Sequence, residues 1–102
     1  MRKPTMPESI KIGPHTYAVL RAYRPGANGY CDMDGLRLAV QPRLRRSKAQ
    51  EVLLHEIMHA LTHPTLCGGD KFTDEEFVTG VTPILLQVLQ ENPGLLSYLA
   101  QP

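Results

Sequence analysis

Up to Pro42 the apolar residues come in short β-leaning runs separated by turn residues; beyond Ser47 they recur every three or four positions, the spacing of helices. Glu8 to Ile12 and His15 to Arg21 flank Gly13-Pro14, which predicts a first hairpin. Arg24 to Gly29, with Pro25, Gly26 and Asn28, predicts a loop. Tyr30 to Met33 and Leu36 to Val40 then flank Asp34-Gly35, the dipeptide favoured in a two-residue type I′ turn, and predict a second hairpin. Pro42 closes that strand. Ser47 and Gln50 have the spacing of a capping box, opening a helix to about His63, where Pro64 helps end it. On a helical wheel Leu53, Leu54, Ile57, Ala60 and Leu61 form an apolar face opposite His55 and His59. Thr65 to Lys71 reads as a loop. A second helix starts near Thr73, with Glu76 at capping-box spacing, and runs through Phe77, Val81, Ile84, Val88 and Leu89. Pro83 cannot donate to the Thr79 carbonyl, so a kink or break is expected between Gly80 and Pro83. Asn92 as a cap and Pro93 at the first helical position predict a short last helix through Leu99. The expected product is one α+β domain over residues 1–102: a small N-terminal antiparallel sheet packed on the first helix, followed by two more helices.

A chain of 102 residues buries roughly 65% of the surface its unfolded form exposes, so a bound metal could matter for folding. No apolar run approaches the about 18 residues of a membrane span. The stretch Met1 to Pro7 carries Arg2, Lys3, Pro4 and Pro7 without an apolar segment, so no secretory signal is read and a cytoplasmic location is expected. Cys31 and Cys67 form no C-x-x-C pair and suit free thiols in a reducing compartment. The net charge of +1 hides an asymmetry: residues 1–48 hold ten basic and three acidic side chains, whereas the remainder holds one base and seven acids. A basic half can steer a protein towards nucleic acid or an acidic partner, although such blocks are more often solvated surface. Its densest part, Arg43, Arg45, Arg46 and Lys48, lies at the N-terminal end of the first predicted helix. The macrodipole disfavours cations there by about a few tenths of a kcal/mol, so helix stability does not explain them.

The chemistry concentrates in His55-Glu56-Ile57-Met58-His59. Residues i and i+4 of a helix lie one above the other, about 6 Å apart along the axis, so two neutral imidazoles can converge on one ion. Glu56 would stand beside that ion, where a carboxylate can take a proton from water whose pKa the metal has lowered towards about 7. A catalytic zinc usually has three protein ligands, and the spacing leaves the third open among His63, Cys67, Asp70, Asp74, Glu75 and Glu76. His63 would lie about 12 Å from His55 along a straight axis, too far for one ion to reach all three histidines. No P-loop, G-x-S-x-G or readable Cys-His pair competes. Tyr17, Tyr23, Tyr30 and Tyr98 could each donate to an oxyanion.

The run Leu53 to Leu61 resembles the active helix of zincin metallopeptidases, and Glu75-Glu76-Phe77-Val78 resembles the glutamate helix of the gluzincin branch. More narrowly, the chain is similar to short phage and prophage proteins with an early Ile-Lys-Ile-Gly strand, an H-E-x-x-H helix, an acidic pair, and a Gln-Val-Leu and Asn-Pro ending. Those parts are here Ile10 to Gly13, His55 to His59, Glu75-Glu76, Gln87 to Leu89 and Asn92-Pro93. The resemblance implies a minimal zincin-like fold, a zinc ion held by His55, His59 and Glu76, and Glu56 as general base. It implies zinc-dependent hydrolysis of peptide bonds in a protein or peptide substrate, with Leu36 to Val40 as the sheet edge to which an extended substrate adds. Helical phase keeps Glu75 in competition with Glu76. Many gluzincins carry an acid where this chain has Gly80, so the group that would orient a histidine is not identified. Two other readings stand beside this one: a zinc-stabilised binding module without turnover, and a nucleic-acid-binding protein using the basic half around Arg43 to Lys48.

Overall fold

Four short strands and then three helices follow along the chain: β1 (Ser9–Ile12), β2 (His15–Arg21), β3 (Gly29–Asp32), β4 (Arg37–Val40), α1 (Arg46–Leu66), α2 (Asp74–Glu91) and α3 (Pro93–Leu99). The computed structural model describes residues 2–66 and 74–102, with side chains described except at 63–66 and 74. The α+β class is as expected. Among these residues no helix is long and apolar enough to cross a membrane.

The sheet is not wholly antiparallel. Its order is β1-β2-β4-β3, and β2 pairs with β4 in parallel, Val19 opposite Leu38 and Arg21 opposite Val40. β3 occupies the far edge, antiparallel to β4, so the strand expected to be the open edge lies in the interior. The physical reason is composition. Leu38, Ala39 and Val40 are all fully buried, and an unbroken apolar run belongs between two neighbours. β3, with Gly29 and Asp32, is half-buried throughout and suits an edge.

The two turns divide the expectations. Gly13, at φ 59°, makes the tight turn between β1 and β2, with Ile12 opposite His15. The second connection is longer than two residues: Asp32 pairs with Arg37, leaving Met33 to Leu36 as the turn. Leu36, not Gly35, takes the left-handed conformation, at φ 54°. Asp32 organises this turn, accepting from the Gly35 N–H at 2.9 Å and from the Arg37 guanidinium at 2.6 Å. Those two partners, the Gly35 N–H first, hold its carboxyl below the usual range. Leu36 offsets the strain of its backbone by packing against the core.

α1 packs on β3 and β4 and against α2, and α2 packs on β1. Ile10, Leu38, Val40, Leu53, Ile57 and Leu61 are fully buried between these layers. Leu54 departs from the wheel and is 41% exposed. It shares Leu61's angular position to within about 20° at 100° per residue, so the difference is axial: the layers that cover Leu61 do not reach Leu54.

Three polar residues take tertiary rather than local partners. Gln50 does not close a capping box; it is buried, and its amide donates to the carbonyls of Tyr98 and Gln101. Arg46 donates to the carbonyls of Pro4 and Gln101 and lies over the Tyr98 ring, so this member of the basic cluster ties the first turn of α1 to both ends of the chain. Asn92 occupies the N-cap position of α3 without a side-chain cap. Its amide instead accepts from the Lys11 N–H and donates to the Lys11 and Val88 carbonyls. α1 continues past Pro64 to Leu66, and α2 runs unbroken through Pro83. Pro83 is exposed, so its ring meets solvent rather than a neighbouring layer. The capping role expected of Thr73 lies outside the described residues.

Candidate metal centre and cleft

α1 turns one side to the sheet and the other to solvent, and the motif straddles the boundary. His55 and His59 are exposed, whereas Glu56 is only 6% exposed, on the arc that also buries Ala49, Val52 and Ala60. The two imidazoles meet edge to face, with centroids 4.7 Å apart and planes at 83°. Their Nε2 atoms are 3.1 Å apart. Two ligands of a tetrahedral zinc with bonds of about 2.0–2.1 Å stand about 3.4 Å from one another, so this pair fits two adjacent positions of such a sphere with little adjustment.

Glu56 faces the edge strand. The first residue of β3, Gly29, approaches α1 so closely that a Cβ there would stand 2.5 Å from the Ala39 carbonyl oxygen, 2.7 Å from Val52 Cγ1 and 3.3 Å from Glu56 Oε2. Only glycine allows this approach without displacing backbone. Two residues along on the same face, Cys31 carries a free thiol pushed up to about 11 by burial first, then by the charges of Glu56 and Asp32. It is therefore a neutral, weakly polar neighbour of the carboxylate at ordinary pH. Among the described residues the Glu56 carboxylate accepts no hydrogen bond, which leaves it open to a ligand. It opens into a cleft of about 310 Å³ lined by Asn28, Gly29, Lys48, Glu51, Val52 and His55 besides Glu56 itself. Lys48, Val52 and Glu56 follow at four-residue intervals and form one helical stripe, a signal present in the sequence; the arrival of Asn28 and Gly29 opposite them was not. Lys48 and Glu51 pair at 2.6 Å at the cleft mouth, which holds the Glu51 carboxyl below its ordinary range.

Glu75 and Glu76, in the first turn of α2, are exposed, and Glu75 accepts from the Thr79 hydroxyl at 3.4 Å. Among the described residues no group of three or more His, Cys, Asp or Glu side chains gathers where one metal ion could be held. Cys67 and Asp70, and the side chains of His63 and Asp74, lie outside the described residues. Tyr17 is buried in the core, where burial first and Cys31 second raise its pKa. Tyr30 sits on the opposite face of β3 from Gly29 and Cys31, with the Arg24 guanidinium 3.9 Å above its ring. Tyr98 packs behind the start of α1, and Tyr23 is 68% exposed at another groove.

The two edges of the sheet differ. On β1, the Asn92 and Gln87 side chains occupy the outward backbone groups at the end of the strand: Asn92 takes both the N–H and the carbonyl of Lys11, and Gln87 takes the Gly13 N–H and the Lys11 carbonyl. On β3, the Gln41 N–H donates to the Asn28 carbonyl, and by alternation along an antiparallel ladder Tyr30 and Asp32 also bond inward. Gly29 and Cys31 therefore turn their N–H and C=O groups outward, beside the cleft. No family model, no curated protein and no solved structure matches this chain.

Proposed function

We propose that this protein is a zinc-dependent peptidase in which His55 and His59 hold the ion and Glu56 is the general base. Glu76 is the third ligand that the zincin resemblance implies, its side chain not being gathered with the two histidines among the described residues. The observation that carries the reading is the 3.1 Å convergence of the two Nε2 atoms, with His55 lining the same cleft as Glu56. Zinc, when bound, supplies Lewis-acid polarisation of the scissile carbonyl and acidifies nearby water. Glu56 takes a proton from the attacking water and returns it to the leaving amine. Its burial on one side restricts the carboxylate to the cleft and spares it competing protein donors. Gly29 and Cys31 orient the substrate: an extended peptide that bonds to their outward backbone groups lies along the Glu56 side of α1. With the β1 edge interrupted at Lys11 and Gly13 by Asn92 and Gln87, β3 is the edge better placed for such addition. A cytoplasmic setting fits the free Cys31 thiol.

Cleavage of a mixed peptide library, followed by mass spectrometry, tests the assignment. The Glu56→Gln variant is expected to lose on the order of 10²–10⁴ in turnover while keeping its zinc. Full activity in that variant, or hydrolysis by zinc-free wild type at an undiminished rate, would overturn it.

A further inference from the structure

β2 and β4 run side by side in the same direction and end together, Arg21 opposite Val40. Parallel neighbours release their following segments at one end of the sheet, so the chain leaving Arg21 and the chain leaving Val40 diverge from a common line. Between them opens a groove of about 490 Å³ lined by Tyr23, Gln41, Pro42 and Arg43. It shares no lining residue with the cleft at Glu56.

Arg43 lines the groove, Arg45 follows it two residues on, and Arg21 reaches the groove's edge at the Pro42 carbonyl while itself lining a separate hollow. Arg43 and Arg45 are exposed and make no ion pair among the described residues. Among the described residues Arg21 donates to neutral acceptors, the Pro42 carbonyl at 3.2 Å and the Met6 sulfur at 3.7 Å. Arg24 follows Tyr23 and lies over the Tyr30 ring. The lining holds no carboxylate, and the ion pairs of the described residues lie elsewhere, at Lys11–Glu91, Arg37–Asp32 and Lys48–Glu51. Tyr23 is the most exposed large hydrophobic residue described, at 68%.

We propose that this groove binds single-stranded nucleic acid, with phosphates on Arg43, Arg45 and Arg21 and a base stacked on Tyr23. All of these cations are arginines, whose planar fork pairs bidentately with phosphate and stacks on flat rings. A stacked base also uses the aromatic ring, which charge alone leaves without a role. The groove walls are loops, and no helix or two-stranded ribbon projects from them to enter the major groove of a duplex.

Fluorescence anisotropy of a labelled oligothymidylate long enough for a site of about 4–16 nucleotides tests this on the intact protein. Binding is expected at about 50 mM salt and should weaken with a log–log slope of about −2 to −3, the value for three or four phosphate contacts on a single strand. Tyr23→Ala and Arg43→Glu should each weaken it by about tenfold or more. Lys11→Ala, on β1, should leave it unchanged, and far-ultraviolet circular dichroism checks that each variant is folded. Absence of binding at low salt, equal affinity for a duplex of the same length, tighter binding of polyglutamate, or indifference to Tyr23→Ala would each overturn the proposal. The assay reads no hydrolysis, so its outcome is independent of the peptidase assignment.

Discussion

Gly29 and Glu56 stand across the cleft at a separation no side chain could fill: a Cβ on Gly29 would lie 3.3 Å from Glu56 Oε2 and closer still to the Ala39 oxygen and Val52. Gly29→Ala must displace either β4 backbone or the helix. The expected cost is about 1–3 kcal/mol, as for other overpacked sites, read as a lower urea midpoint with unchanged slope. Wild-type stability in Gly29→Ala would mean that the approach of strand to helix is looser than these distances require.

The metal assignment predicts one zinc per chain after purification, lost in His55→Ala and in His59→Ala. Mass spectrometry of Glu75→Ala and Glu76→Ala in parallel identifies the third ligand as the residue whose loss releases the ion. Retention of zinc in both would remove Glu75 and Glu76 from the site.

Asn92 joins the start of α3 to the edge of β1 through two hydrogen bonds to Lys11, and a third ties it to the Val88 carbonyl of α2. Asn92→Ala orphans the Lys11 N–H and should cost about 1–3 kcal/mol. It also uncovers part of an edge that can then pair with a second chain, so light scattering should rise with concentration in the variant and not in the wild type.

Alkaline pH should weaken the fold through Cys31. Its thiol titrates near 9.0 when unperturbed and at about 11 in the folded protein. Between those values the unfolded chain has released a proton that the folded chain keeps, so the stability due to this group is complete below about pH 9 and declines towards pH 11. Urea titrations across that interval should show the decline, with a shallower slope for Cys31→Ala. Alkylation by iodoacetamide should be slow at pH 8 for the same reason.

Much of this architecture can be read locally. Strand and helix positions follow from period-two and period-3.6 patterns, and His55 and His59 converge because they stand four residues apart on one helix. Helical spacing likewise aligns Lys48 and Val52 with Glu56. Beyond the all-antiparallel sheet and its expected edge, the local readings that failed concern Asp34-Gly35, Gln50, Asn92 and Leu54. Gln50 and Asn92 found distant partners, Asp32 captured the Gly35 N–H and lengthened the turn, and Leu54 is a wheel position whose axial surroundings the wheel does not contain.

Sequence alone thus determines the α+β order of elements and the placement of His55, Glu56 and His59 on α1, because both depend on neighbours within a few residues. Tertiary structure decided the rest. The parallel pairing of β2 with β4 sends β3 to the edge, brings Gly29 and Cys31 to Glu56, and opens the groove at Tyr23 and Arg43 beyond the other strands' ends. Asn92 then blocks the opposite edge from 81 residues away along the chain. Which strand lies buried between two others depends on the total apolar area removed from water across all layers, and no single segment carries that sum.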